Sequence, residues 1–133
     1  MPGAVLDASA LLAYLADEPG ADVVSAAIAG GTVISSVNLA EVLSRVASSG
    51  SDPSDLAEKL TVNGLLHGAI SVEQFTDTDA IEVARLRPIT HAAGLSLGDH
   101  ACLALASRLE LPVLTADTAW SSVDVTVELR QIR

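Results

Sequence analysis

Aromatic residues are almost missing from this chain: 133 residues hold one Phe (Phe75), one Tyr (Tyr14) and one Trp (Trp120). So thin a supply excludes the stacking platform with which sheet-surface and OB-type domains read single-stranded bases. It also obliges the core to be aliphatic, because half of the residues are hydrophobic and most of those are Ala, Val and Leu. Cysteine occurs once, as Cys102 within the apolar run Ala101 to Ala106, which excludes an internal disulfide and a cysteine-built zinc site. Cations are scarce too, with seven Lys and Arg against seventeen Asp and Glu and a formal charge of −10. That balance is the opposite of a general phosphate-backbone binder. No basic segment followed by an apolar stretch and a cleavage site opens the chain, and no apolar run reaches the ~18 residues of a membrane span. A soluble, cytoplasmic protein is expected, and the length fits one domain over residues 1–133.

Apolar runs bounded by turn residues then alternate along the chain. Ala4-Val5-Leu6 reads as a buried strand, with Asp7-Ala8-Ser9 as the turn into a short helix from Leu11 to Ala16. Glu18-Pro19-Gly20 separates that helix from a second one, Ala21 to Ala29. Thr32 to Ser35 is a strand, and Ser36-Val37-Asn38 opens a helix with Leu39, Val42, Leu43 and Val46 at helical spacing, stopped by Ser49-Gly50. A fourth helix is predicted from Asp55 to about Leu66, a strand from Ile70 to Phe75, and a helix capped by Asp77-Thr78-Asp79 and limited or kinked at Pro88. Ser96 to Asp99 has capping-box form ahead of the apolar helix Ala101 to Leu109, Pro112 to Thr115 is a strand, and Val123 to Leu129 a last one. Strands alternating with helices imply a three-layer α/β/α domain with a mainly parallel central sheet.

Four acids share an unusual situation. Asp7 and Asp117 each follow a strand, while Glu41 and Asp99 lie in the opening turns of helices that leave the same sheet edge. Ligands bind outside the carboxyl ends of parallel strands, which is that edge. Taken singly, each acid has a local explanation: Asp7 or Ser9 can cap the first helix, Asn38-x-x-Glu41 and Ser96-x-x-Asp99 fit capping boxes, and Asp117 fits a turn. Taken together, four carboxylates in apolar surroundings repel one another, and none of Asp7, Asp99 and Asp117 has a Lys or Arg beside it in sequence. A hard divalent cation, Mg²⁺ or Mn²⁺, is the simplest compensation for oxygen ligands, and two such ions would formally neutralise the four charges.

The segments Val5-Leu6-Asp7-Ala8-Ser9-Ala10-Leu11, Asn38-Leu39-Ala40-Glu41-Val42, Leu95-Ser96-Leu97-Gly98-Asp99-His100-Ala101 and Val113-Leu114-Thr115-Ala116-Asp117-Thr118-Ala119-Trp120 span the chain. In that order and spacing they resemble the PIN-domain ribonucleases and, among them, the VapC-type toxins of bacterial toxin–antitoxin pairs. The resemblance implies a PIN fold and an acidic quartet, Asp7, Glu41, Asp99 and Asp117, that is catalytic and binds Mg²⁺ or Mn²⁺, with Ser9 and Thr115 as supporting hydroxyls. It implies hydrolysis of RNA by metal-activated water, leaving 5′-phosphate and 3′-hydroxyl ends, a homodimer, and a cognate VapB-type antitoxin. Many relatives carry a further Asp or Asn two residues after the fourth acid, where this chain has Ala119. That departure supports the alternative of a PIN-like binding module impaired in catalysis. Arg45, one turn beyond Glu41, can meet a flanking phosphate or pair with Glu41. His100 can meet phosphate, donate a proton, or simply pack. A phosphoacceptor receiver domain, also acidic and α/β, would need an acid pair near the first strand and a Lys after a late strand, and neither is present.

Overall fold

A computed structural model describes residues 1–133. Its sheet has five strands, all parallel, in the order β3-β2-β1-β4-β5: β1 Ala4–Leu6, β2 Thr32–Ser35, β3 Ile70–Glu73, β4 Val113–Thr115 and β5 Leu129–Gln131. Six helices connect them: α1 Ala8–Leu15, α2 Ala21–Ala29, α3 Ser36–Ala47, α4 Pro53–Val62, α5 Asp77–Thr90 and α6 Leu97–Leu109. None is long and apolar enough to cross a membrane.

The central strands β1, β2 and β4 are buried at every position because both faces of the sheet are covered. Leu6, Ile34 and Leu114 face a cluster with Leu11, Val24 and Val42 from α1, α2 and α3. Val5, Val33 and Val113 face the opposite cluster, where α6 supplies Cys102, Leu103, Leu105 and Ala106 and the single tryptophan, Trp120, is fully buried. The three-layer α/β/α reading therefore holds. So does the aliphatic core, in which each fully buried Val or Leu contributes about 1.5–3 kcal/mol.

Several boundaries differ from expectation, each for a local reason. Helix α1 starts at Ala8 rather than Leu11, because Asp7 caps it directly by accepting the Ala10 N–H at 2.8 Å. Helix α6 starts at Leu97, four residues before the apolar run, because the Ser96/Asp99 capping box forms in full. Helix α4 ends at Val62, and positive φ at Gly64 and His67 turns the chain into β3, which stops at Glu73. Helix α5 passes through Pro88 and ends at Thr90. The last strand is Leu129–Gln131, not Val123 to Leu129: Val125 and Val127 alternate because they pack on the Trp120 cluster from irregular chain.

Strand order places β1 and β4 side by side, while the connections leave β1 on one side toward β2 and β3 and return on the other at β4 and β5. This is a topological switch point, where the loops diverge and open a crevice at the strands' carboxyl ends. Asp7 follows β1 and Asp117 follows β4 at that crevice.

Candidate active site

Asp7, Glu41, Asp99 and Asp117 line one cleft of about 760 Å³, together with Ser9 and Arg45. The sequence thus brings all four candidate acids together from four separate elements. No three of them close around a common point.

Each acid is oriented by its local backbone. Asp7 is 3% exposed. Its Oδ1 accepts the Ser9 hydroxyl at 2.7 Å and the Ala10 N–H at 2.8 Å, and its Oδ2 accepts the Thr115 hydroxyl at 2.5 Å. Ser9 and Thr115 each also accept a main-chain N–H, from Ala116 at 2.9 Å and from Asp117 at 3.0 Å. The two hydroxyls thereby link the end of β1 to the turn after β4, in the supporting positions that the resemblance implied. Burial pushes the Asp7 carboxyl up to about 6; the bonds from Thr115, Ala10 and Ser9 pull it back, and the Asp99 charge raises it further.

The other three acids share one pattern. Asp99 Oδ2 accepts the Ser96 N–H at 2.9 Å, Asp117 Oδ1 accepts the Ala119 N–H at 2.9 Å, and Glu41 Oε1 accepts the Asn38 amide at 2.8 Å. In each, the second carboxylate oxygen has no hydrogen-bond partner in the protein. The capping explanation and the site explanation are therefore compatible for Asp99 and Asp117, since one oxygen serves the backbone and the other remains for the cleft. For Glu41 the capping box does not form. Ser35 caps α3 by accepting the Val37 N–H, so Asn38 lies inside the helix, and it is the Asn38 side chain that holds Glu41.

Hard oxygen donors without a competing cation suit a divalent ion. Mg²⁺ ordinarily keeps several waters and takes only one or two carboxylates directly, so a cleft in which no three acids converge still fits it. Cys102 lies behind the cluster, fully buried, and its thiol is pushed up by burial and by the charges of Asp7, Asp99 and Glu41.

Arg45 lines the cleft but makes no ion pair, whereas Arg85, Arg108, Arg130 and Arg133 are each paired with an acid. The Glu41 side chain turns back toward Asn38, the direction helical side chains favour, and so leaves Arg45 free. His100 does not reach the cleft. It is buried against α5, where its Nδ1–H donates to the Ser96 carbonyl at 2.7 Å and its Nε2 bonds the Thr90 hydroxyl. Ala119 is exposed, and its contribution to the site is the N–H given to Asp117. Asn38 and Gly98 were missed by the sequence reading as parts of the site. A glycine inside the first turn of an apolar helix, where no turn demands it, was the available signal for Gly98.

Comparison with known proteins agrees with the fold. The family model described as PIN domain matches residues 4–125. No curated protein matches the sequence. Among solved structures, the DNA-bound VapBC from Salmonella typhimurium is similar at 17% identity over 100% of both chains, with a TM-score of 0.75. FitAcB from Neisseria gonorrhoeae is similar at 24% identity over 97% of both chains, TM-score 0.71. VapBC-5 from Mycobacterium tuberculosis, a member of the VapBC family of toxin–antitoxin systems, is 25% identical over 100% of this chain and 99% of that one, TM-score 0.58.

Proposed function

The chain belongs to the PIN-domain family, and from that premise we propose that it is a Mg²⁺- or Mn²⁺-dependent endoribonuclease, the toxin of a type II toxin–antitoxin pair. The observation that carries this reading is that Asp7, Glu41, Asp99 and Asp117 all line one cleft at the switch point, with no cation paired to any of them. Asp7, Asp99 and Asp117 would hold the ion, directly or through water. A divalent ion bound there lowers the pKa of a coordinated water and polarises the phosphoryl oxygen of the scissile phosphodiester.

The protein's own groups do the rest. Glu41, held by one oxygen, keeps Oε2 for a water proton or for the ion. Ser9 and Thr115 keep Asp7 aimed by donating to both of its oxygens. Arg45, the one base in a cleft of four acids, meets a phosphate beside the scissile one, so the strand is held where the protein is otherwise repulsive. Negative charge concentrated at the cleft also suits a cationic segment of a cognate VapB-type antitoxin, with an arginine pairing two carboxylate oxygens at once. The similarity to a solved member of the VapBC family of toxin–antitoxin systems supports that partner.

The test is incubation of the purified protein with total RNA in Mg²⁺, Mn²⁺ or EDTA, with mapping of the new 5′ ends. Metal-dependent cleavage at defined positions, lost in Asp99→Asn, is expected. Cleavage that persists in EDTA or in Asp99→Asn would overturn the reading, and no cleavage at all, with Mn²⁺ still bound, would favour a catalytically impaired binding module.

A further inference from the structure

Glu41 is fixed from two sides by residues with no acid chemistry of their own. Asn38 Nδ2 donates to Glu41 Oε1 at 2.8 Å and to the Gly98 carbonyl at 2.9 Å. Both amide hydrogens are committed, and Asn38 Oδ1 is buried without a partner. Turning the amide over would set that oxygen against two acceptors, so the orientation is determined by its surroundings. Asn38 is 1% exposed, so its amide is held inside the protein while Glu41 reaches the cleft.

From the other side comes Gly98. A Cβ at this position would lie 2.2 Å from Glu41 Oε1 and 2.5 Å from its carboxyl carbon. Gly98 sits within α6 and is not among the glycines with positive φ, so its backbone would accept any L residue. Glycine is the poorest ordinary residue for a helix interior. Its presence therefore works against α6 and in favour of one thing, the close approach of the Glu41 carboxylate. The next residue is Asp99, so a single amide ties the Glu41 side chain to the main chain beside Asp99 and sets the gap between the two carboxylates.

We propose that Asn38 and Gly98 are positioning residues: the Asn38 amide and the missing Cβ of Gly98 hold Glu41 Oε1 against the start of α6, so that Oε2 is offered to the metal beside Asp99. This rests on the metal-dependent reading of the cleft given above. Partners of metal-ligating carboxylates typically account for 10–100-fold in affinity or activity.

The experiment is Mn²⁺ titration by calorimetry, with thermal midpoints of the metal-free proteins, for wild type, Asn38→Ala, Gly98→Ala, Glu41→Ala and Asn38→Ala combined with Glu41→Ala. Asn38→Ala and Gly98→Ala should each weaken Mn²⁺ about tenfold or more. In the Glu41→Ala background the Asn38 substitution should weaken it no further, because the residue it acts through is gone. Gly98→Ala should melt at or above wild type, since alanine favours the helix and the atoms in its way are the movable end of Glu41. A stable protein with a weakened site is not what a merely structural glycine would yield. Should Asn38→Ala fail to fold, Gly98→Ala with and without Glu41→Ala decides the matter in the same way. Wild-type Mn²⁺ affinity in both single variants, or equal weakening with and without Glu41, would overturn the positioning role and leave the metal site standing. Absence of Mn²⁺ binding by the wild type would instead overturn the metal-dependent reading, and the positioning role with it.

Discussion

Asp7 and Asp79 are two buried carboxylates with the same local job and opposite electrostatics. They are 3% and 2% exposed, and each accepts one main-chain N–H at a helix start, Asp7 from Ala10 at α1 and Asp79 from Thr76 in the capping box of α5. Burial pushes both carboxyls up. For Asp79 that push is outweighed by Arg108, which donates from Nε to Oδ1 at 3.0 Å and from Nη2 to Oδ2 at 3.2 Å, and by the N–H and hydroxyl of Thr76, so its carboxyl lies below the usual range. Asp7 has hydroxyls and an N–H but no cation, and its carboxyl rises to about 6. A buried acid that only has to hold two helices together is given an arginine; one left without an arginine, at the mouth of a cleft with three more acids, is poised for a cation from outside. Asp99 extends the contrast, since it occupies the same capping-box position as Asp79 but keeps one oxygen without a protein partner.

Substitutions at the two kinds of acid should separate cleavage from stability. Asp7→Asn and Asp99→Asn should each lower RNA cleavage about 10³-fold, the several kcal/mol expected of a metal's stabilisation of the transition state, with thermal midpoints unchanged or raised. Assays of cleavage and melting on the same preparations check both halves, and an unimpaired Asp99→Asn enzyme would erase the distinction from Asp79. Arg108→Ala should do the reverse. It leaves Asp79 buried without its partner and should destabilise by about 3 kcal/mol, roughly a 10 °C drop in thermal midpoint, while cleavage at a permissive temperature stays near wild type.

The pH dependence of stability sharpens the same contrast, because the two acids act with opposite sign. The native carboxyl of Asp7, at about 6 against an ordinary 3.8, binds its proton more tightly than the unfolded chain does. Its contribution is therefore fully present below about pH 3.8 and lost as pH rises through about 6, amounting to about 3 kcal/mol in the metal-free protein. Asp79, held low, stabilises above its unfolded value and loses that contribution only as pH falls through its folded one. Urea midpoints between pH 4 and 8 in EDTA should show Asp7→Asn gaining on wild type as pH rises. A constant difference across that range would mean that Asp7 is not the raised group.

Much of this was readable from the chain, and the parts that were not have two causes. Strands β1 and β4 were legible because parallel strands covered on both faces read as short apolar runs, β2 because Thr32-Val33-Ile34 is β-branched throughout, and α2 because Gly20 and Gly30 bound it. The acids could be assigned to one edge because strand-to-helix order alone decides which turns share it. The final strand was misplaced because Val125 and Val127 alternate in a loop that packs on Trp120, and alternation reports burial rather than pairing. Asn38 lay hidden for a different reason: its bonds run to Glu41, three residues away, and to Gly98, sixty residues away, and only the first is visible in a local pattern. Arg108 with Asp79, twenty-nine residues apart, was invisible on the same grounds.

The smallest expected effect concerns the cations. Arg45 and Arg87 both lack an ion pair, but Arg45 lines the acidic cleft and Arg87 stands exposed on α5 away from it. Arg45 lies four residues beyond Glu41 on the same helix, about 6 Å along the axis, so a strand cleaved at the acids passes within its reach. One charge-assisted contact to phosphate is worth roughly 1.5 kcal/mol, and Arg45→Ala should raise the KM for RNA about tenfold with a kcat near wild type. Because the contact is electrostatic, the penalty should shrink as salt rises from 50 to 300 mM. Arg87→Ala should change neither constant. Equal effects from the two substitutions would mean that the general charge of a −10 protein is being read, and that the cleft holds no phosphate position at Arg45.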